Sequence, residues 1–389
     1  MTPRPFTGGL AACFAALLAC ALIPVAAEAA SVSESPTTLT YTAGAGETNN
    51  LSIVPANGAY VVSDTGAASL VDGDGAGGCT VTGNTASCPI AKLTEIDVAL
   101  GDRNDVASVR TPITEHIAGG LGDDRLTGGA AADVLNGDEG VDTLDGGPRA
   151  DTLNGGPGAR DTVSYASRGT TVGVTIDGTS NDGNADDDGP GGVRDNVMTD
   201  VENVIGGKGN DDLGGSAAAN VLQGGPGNDD LAGGDGNDVL DDGVGTNWFE
   251  GGPGDDLLRQ GPTANAGDTL HGGVGTDTVS YQRRSTRVFV RVDDPGHDGD
   301  PYSNENDDVG TDVENLVGGA GDDWLQGGAG ANRVDGGPGG DAISGGNGAD
   351  QLIGGPGNDQ FDSGAAEGAD DIRGGLDTAT SATPGAPQG

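Results

Sequence analysis

The feature that most constrains this chain is a period of nine. From Gly119 a unit of the form Gly-Gly-x-Gly-x-Asp-x-apolar-x recurs in register, as in GGLGDDRLT (119–127), GGPGNDDLA (224–232) and GGPGNDQFD (354–362). Self-similarity at a short fixed period marks a stacked, quasi-one-dimensional architecture. Glycines at positions one, two and four permit positive φ and a sharp turn, and they leave the backbone carbonyls unobstructed. Position eight is Leu, Val, Ile or Phe between polar neighbours, which makes a minimal strand with one inward side chain. Each unit is therefore one turn and one three-residue strand, and two units close one coil. Coils stack by strand pairing, and the position-eight side chains fill a narrow apolar interior.

The period divides the chain into three blocks: 112–163, with its first complete unit at 119, then 206–280 and 318–375. Two spacers, 164–205 and 281–317, separate them and resemble each other. Asp161-Thr162-Val163-Ser164-Tyr165 matches Asp277-Thr278-Val279-Ser280-Tyr281, and Thr199-Asp200-Val201-Glu202-Asn203-Val204 matches Thr311-Asp312-Val313-Glu314-Asn315-Leu316. Each spacer also carries an alternating strand (172–176; 288–292) followed by an acidic loop, so the two are an internal duplication. Residues 30–111 lack the period. Alternating stretches there, such as 38–42 and 59–62, read as short strands of a small N-terminal β cap domain. The Thr/Ala/Pro/Gly stretch 376–389 reads as a disordered tail.

The chain has 61 acidic and 17 basic side chains, a formal net charge of −44, and 77 glycines. Such a composition reads by default as disorder, and it offers phosphates no basic stripe, which argues against nucleic acid as a partner. One apolar side chain per nine residues cannot offset the entropy of ordering nine backbone units. Stacked position-six carboxylates would also repel. A cation answers both difficulties. Carboxylate oxygens and turn carbonyls from turns one coil apart can supply about six to eight oxygens, which suits Ca²⁺ better than the tighter octahedron of Mg²⁺. Metal binding and folding are then expected to be one process.

Residues 1–29 read as an export signal: Arg4, an apolar run over 10–27, and the small-x-small site Ala27-Glu28-Ala29. A membrane anchor, or lipoprotein processing at Leu17-Leu18-Ala19-Cys20, stays open. No segment after this leader is apolar enough to span a bilayer. Two cysteines remain beyond it, Cys79 and Cys88, and in an exported chain they predict one disulfide closing a short loop.

The units resemble the repeats-in-toxin (RTX), or haemolysin-type, calcium-binding repeat. The resemblance covers the three blocks. It implies an all-β fold, a right-handed parallel β-roll (β-solenoid) with Ca²⁺ held between turns, roughly ten ions in all. On that pattern the ligand carboxylates are Asp124, Asp133, Asp142 and Asp151 in the first block. The second supplies Asp211, Asp229, Asp238 and Asp256, and the third Asp323, Asp341, Asp350 and Asp359. Carbonyls such as those of Gly120, Gly122, Gly207 and Gly209 would complete sites. Some units depart from the pattern. Asn220, Asn247 and Asn332 replace the Asp with a weaker, neutral ligand, and Ala131 and Ala218 replace the position-four glycine. The register also places Glu115, Glu202 and Glu314 at position six just ahead of each block. They read either as entry ligands or caps of the first turn, or as solvated acids.

Other chemistry is sparse. His116, His271 and His297 are scattered and form no HExxH, so zinc catalysis is not expected, and 30–111 is too short and too poor in catalytic groups to be a separate enzyme domain. Arg283, Arg284, Arg287 and Arg291 either balance nearby acids or meet an anionic glycan. Trp248 and Trp324 stand at position seven, facing outward, and Phe249 at eight, facing in. The first expectation is a secreted, non-enzymatic structural or adhesive calcium module whose partner is a cell-surface glycan or another extracellular protein. The alternatives are a carbohydrate-active enzyme of epimerase or lyase type, and a solenoid that binds ice or another repeating surface, although positions seven and nine show no Thr ladder.

Overall fold

A computed structural model describes residues 29–375 apart from 76, 159, 186–192, 242, 265–266, 293–297, 304 and 363–369. The leader up to residue 28, Cys20 within it, His297, part of the acidic loop of each spacer and the tail from 376 lie outside the described residues.

Nearly every repeat forms the expected three-residue strand, and strands two units apart pair in parallel. Arg125 lies opposite Thr143, Val134 opposite Thr152, and Val221 opposite Val239. Successive strands alternate between two stacks, and their position-eight side chains join one core cluster. Leu126, Leu135, Leu144, Leu153, Leu222, Leu240, Leu258 and Phe249 are completely buried. The period supplies one such side chain per strand and the pairing piles them in file, which yields a fold that is narrow rather than globular.

One stack is continuous. It runs in parallel register from Asn50–Ala56 through Val106–Val109, Arg125–Thr127 and Thr143–Asp145 to Gln351–Ile353 and Asp371–Arg373, passing both spacers without a break. The other is segmented. Its first part ends at Asn196–Val197, its second runs from Gly173–Thr175 to Asp308–Val309, and its third from Phe289–Arg291 to Gln360–Asp362. Both spacers fold alike at the joints. In the first, Gly183 bridges Gly173 and Asp182 bridges Asp195, both antiparallel; in the second, Gly299 bridges Phe289 and Asp298 bridges Asp307.

The N-terminal region takes part in the same stacks. Thr38–Thr42 and Glu95–Ala99 pair in parallel ahead of Thr114–Leu121, while Asn50–Ala56 and Val106–Val109 precede Arg125–Thr127. Its nine-residue spacing is lost but its strand alternation survives, so the sequence reads as a different domain where the backbone continues the roll. What departs from the parallel pattern is an antiparallel group. Ala59–Asp64 pairs with Asn50–Ala56 and Thr85–Pro89, Thr80–Thr82 with Thr85–Pro89, and Ser31–Glu34 with Thr38–Thr42. Cys79 and Cys88 are joined within it.

The glycines are dictated by the stacking distance. Gly120 has φ +104° and Gly140 φ +155°. A Cβ on Gly120 would run into the carbonyl of Gly101 below it, and one on Gly140 into that of Gly122. Arg149 takes the same left-handed conformation at position four, with φ 95°. Ala131 and Ala218, which replace that glycine, do not, so their turns follow another course.

Candidate metal centre

The position-six side chains turn inward at the start of each strand and form ladders. In each step one carboxylate oxygen accepts the backbone N–H of the position-six residue one coil earlier. Along the continuous stack Asp124 accepts from Asp105 at 2.8 Å, Asp142 from Asp124 at 2.7 Å, Asp161 from Asp142 at 2.8 Å, and Asp256 from Asp238 at 2.7 Å. Along the segmented stack Asp133 accepts from Glu115, Asp151 from Asp133, Asp229 from Asp211, Asp341 from Asp323 and Asp359 from Asp341. The first oxygen of each ladder acid is thus structural, which the spacing of the sequence alone does not disclose.

The second oxygen decides what the ladder can do. In Asp105, Asp124, Asp142, Asp161, Asp238, Asp256, Asp277, Asp341, Asp350 and Asp359 it is buried and accepts no hydrogen bond. A buried carboxylate oxygen without a donor carries a large desolvation cost that a protein does not ordinarily leave uncompensated. Repeated over many of the coils, the arrangement is a row of hard anionic oxygens beside glycine turns, a donor set fitted to Ca²⁺.

At some steps, several of them where a run starts or stops, protein donors take that second oxygen. The N–H of Gly129 donates to Asp133 at 3.0 Å, that of Gly207 to Asp211 at 2.5 Å, and that of Gly319 to Asp323 at 2.7 Å. The Tyr165 hydroxyl donates to Asp195 and the Tyr281 hydroxyl to Asp307, at 3.1 and 2.8 Å. At the joints a single buried carboxylate closes both sides. Asp182 accepts the N–H groups of Thr175 and Val197, and Asp298 those of Arg291 and Val309.

Burial without a cation strains the charge state. It pushes the carboxyl of Asp124 up to about 7, with neighbouring Asp charges adding to the effect, and that of Asp341 likewise to about 7. Burial and then the Asp133 charge raise Glu115 to about 8. Burial raises Asp161, Asp238 and Asp277 to about 6.

The residues expected from the sequence fall into distinct groups. Asp124, Asp142, Asp238, Asp256, Asp341, Asp350 and Asp359 present the open oxygen; Asp133, Asp211 and Asp323 have both oxygens occupied by backbone donors. Gly120 and Gly122 have positive φ, whereas Gly207 and Gly209 do not and pack on Arg168 and Thr170–Thr171 of the spacer. The three glutamates also differ. Glu115 is fully buried; one oxygen accepts the Thr111 N–H and hydroxyl, and the other has no donor. Glu202 and Glu314 are half-buried caps that accept backbone N–H groups, Glu202 from Arg160 and Asp161 and Glu314 from Asp277. The asparagines one coil later act as donors, Asn220 to the Glu202 carbonyl at 2.7 Å and Asn332 to that of Glu314 at 2.8 Å. The expected ligand set missed Asp161, whose unit is irregular, and Asp105, which no glycine pair precedes; it also left out Asp277, although GGVGTDTVS (272–280) fits the period.

The arginines of the second spacer are engaged internally. Arg283 meets Asp241, Arg284 is buried in a bidentate pair with Glu305 at 2.5 and 3.0 Å, and Arg287 meets the Asp322 carbonyl. Phe249 is buried, Trp248 is exposed, and Trp324 stacks on Phe289.

The family model described as "RTX calcium-binding nonapeptide repeat (4 copies)" matches residues 114–144, 137–159, 205–240, 223–258, 265–281, 308–343, 335–367 and 344–378. The matched segments overlap along the three blocks and end short of Asp105. A search of curated proteins gave no match.

Proposed function

Because the chain belongs to the RTX calcium-binding nonapeptide repeat family, we propose that it is an exported structural or adhesive module whose roll assembles when Ca²⁺ fills its turn stacks. The carrying observation is the row of buried carboxylate oxygens that lack donors. Asp124, Asp142, Asp238, Asp256, Asp341, Asp350 and Asp359 would hold the ions, joined by Asp105, Asp161, Asp277 and the inner oxygen of Glu115. The bound ion would supply the positive charge that lets these acids stay ionised inside the fold. Roughly ten ions are expected on the nonapeptide count. Export rests on the leader reading of 1–29, and the stated partner class is a cell-surface glycan or another extracellular protein. No helix among the described residues is long and apolar enough to cross a membrane.

A mature chain kept unfolded in a low-calcium cytoplasm and folded outside fits a midpoint of about 10⁻⁴–10⁻³ M, the range of extracellular calcium modules. Circular dichroism against Ca²⁺, with Mg²⁺ as control, tests this. β signal should rise with Ca²⁺ and not with equal Mg²⁺. A constant β signal from zero to millimolar Ca²⁺ removes the proposal. The carbohydrate-active reading needed a basic face, and the arginines that approached one are spent on Asp241, Glu305 and Asp322.

A further inference from the structure

We infer that the outer face of the roll carries a second kind of metal site, for a divalent cation of the zinc type, built from His116, Glu95 and Asp97. These residues lie on adjacent parallel strands, Glu95–Ala99 and Thr114–Leu121, with His116 directly opposite Asp97. The His116 Nδ1 is 3.1 Å from Glu95 Oε1 and 3.1 Å from Asp97 Oδ1. The three ligand atoms all fall within 4.8 Å of one another. Two ligands each about 2.0–2.2 Å from one ion, at a right-angled to tetrahedral angle, are roughly 2.9–3.5 Å apart, so a single cation can bridge the imidazole and either carboxylate with little movement.

The site differs from the calcium stacks in place and in chemistry. It sits on the outward side of mid-strand residues, its side chains 37–45% exposed, whereas the ladder acids are buried at the turns. An imidazole nitrogen is a poor ligand for Ca²⁺, which takes oxygen, and a good one for borderline cations such as Zn²⁺. One nitrogen and two carboxylates leave at least one coordination position to solvent. The partners are held in place beforehand. The strand register fixes the three Cα positions, and the Thr38 hydroxyl, on the next strand, donates to the other oxygen of Glu95 at 3.2 Å. Without a cation the imidazole N–H can bridge to only one acid at a time; on binding, the ring proton moves through solvent to Nε2, and Nδ1 and both acids face the ion. The ion would clamp the N-terminal coils to the first repeat block across the boundary at which the nine-residue period begins.

Isothermal titration of Zn²⁺ into the chain held in saturating Ca²⁺ tests the site, because excess Ca²⁺ occupies the acidic surface that would bind zinc loosely. One Zn²⁺ per chain is expected. It should be lost in His116→Ala and weakened about tenfold or more in Asp97→Asn, with the calcium-induced dichroism unchanged in both. Absence of Zn²⁺ binding in the parent chain overturns the inference, as does binding that survives unchanged in His116→Ala. Should His116→Ala fail to reach the calcium-loaded dichroism, Asp97→Asn decides alone by the same criterion.

Discussion

The two strand stacks meet the same two spacers in opposite ways. On the continuous stack the coils carry on past each spacer, and only the ladder changes. Glu202 followed by Asn220, and Glu314 followed by Asn332, replace two successive aspartates, and an asparagine amide closes each step by donating to the glutamate carbonyl. On the segmented stack the sheet itself is cut. Each cut is resealed by a short antiparallel bridge and one doubly engaged aspartate, Asp182 or Asp298, while Tyr165 or Tyr281 stops the ladder end. The contrast teaches that the open carboxylate oxygens lie mostly within a run, with Asp359 on the last strand keeping one. At each joint, where a run stops or restarts, a backbone N–H, a hydroxyl or an amide takes the place a cation would otherwise serve.

The largest effect should come from breaking a reseal. Asp182 is buried and is the acceptor for the Thr175 and Val197 N–H groups, and Asp298 plays the same part for Arg291 and Val309. Asp182→Ala and Asp298→Ala should each lower stability by about 2–4 kcal/mol, the order expected for two backbone donors left without a partner. Urea unfolding in saturating Ca²⁺ measures it. Asp212→Ala, on an exposed strand position, should change it by no more than about 0.5 kcal/mol. Equal effects from the reseal and the surface variants would mean that the joints bear none of the stability assigned to them.

Proton concentration should separate the metal-free from the calcium-loaded roll. Asp124 and Asp341 are raised by burial to about 7 and Glu115 to about 8, from ordinary values of 3.8 and 4.5. A folded-state value above the unfolded one means that the native state binds the proton more tightly, so stability falls as pH rises between the two values. The metal-free chain should therefore gain β dichroism as pH drops from about 8 toward 5. Calcium requires the ionised acid, so its folding midpoint should move to higher Ca²⁺ over the same window. The tyrosine-stopped and backbone-capped ends should not contribute to this shift, because their second oxygens are not open to the ion. A Ca²⁺ midpoint that does not move between pH 8 and 6 would contradict the placement of these acids at the ions.

Most of the roll was legible because the repeat writes one apolar residue and one aspartate per strand. Leu126 and Leu144 are in register as the period requires, and Asp124 and Asp142 stand on the ladder it implies. What the period could not show depends on partners outside it. That Asp133, Asp211 and Asp323 differ from Asp124 is decided by the backbone N–H groups of Gly129, Gly207 and Gly319, in units whose letters are nearly the same. Asp105 sits in a coil without the glycine pair, where Arg103 takes a positive φ of 83° at the place that Gly122, with φ +127°, holds one coil on. Asp182 and Asp298 lay unnoticed in acidic loops because a doubly capped carboxylate and a solvated one have the same sequence. The duplication of the spacers was the available signal, since both aspartates follow the alternating strand at matched distance.

The smallest effect, and the sharpest for the comparison, concerns the three glutamates that precede the blocks. Their register positions are equivalent, yet Glu115 is buried with one oxygen lacking any donor, and Glu202 and Glu314 are half-buried N–H acceptors. In Glu115→Gln the amide oxygen can keep the Thr111 donors only by turning its NH₂ toward the open position. The change therefore removes a charge and places a donor where a ligand is needed. The Ca²⁺ midpoint followed by dichroism should rise about threefold or more, since calcium affinity in such sites follows the charge of the ligand set. In Glu202→Gln and Glu314→Gln the amide oxygen can still accept the N–H groups of Arg160 and Asp161, or of Asp277, while the NH₂ faces solvent. Their midpoints should stay within about twofold of the parent. Equal shifts in all three would show that the buried oxygen of Glu115 has no special relation to the ion. The first block would then begin, like the other two, on a cap rather than a ligand.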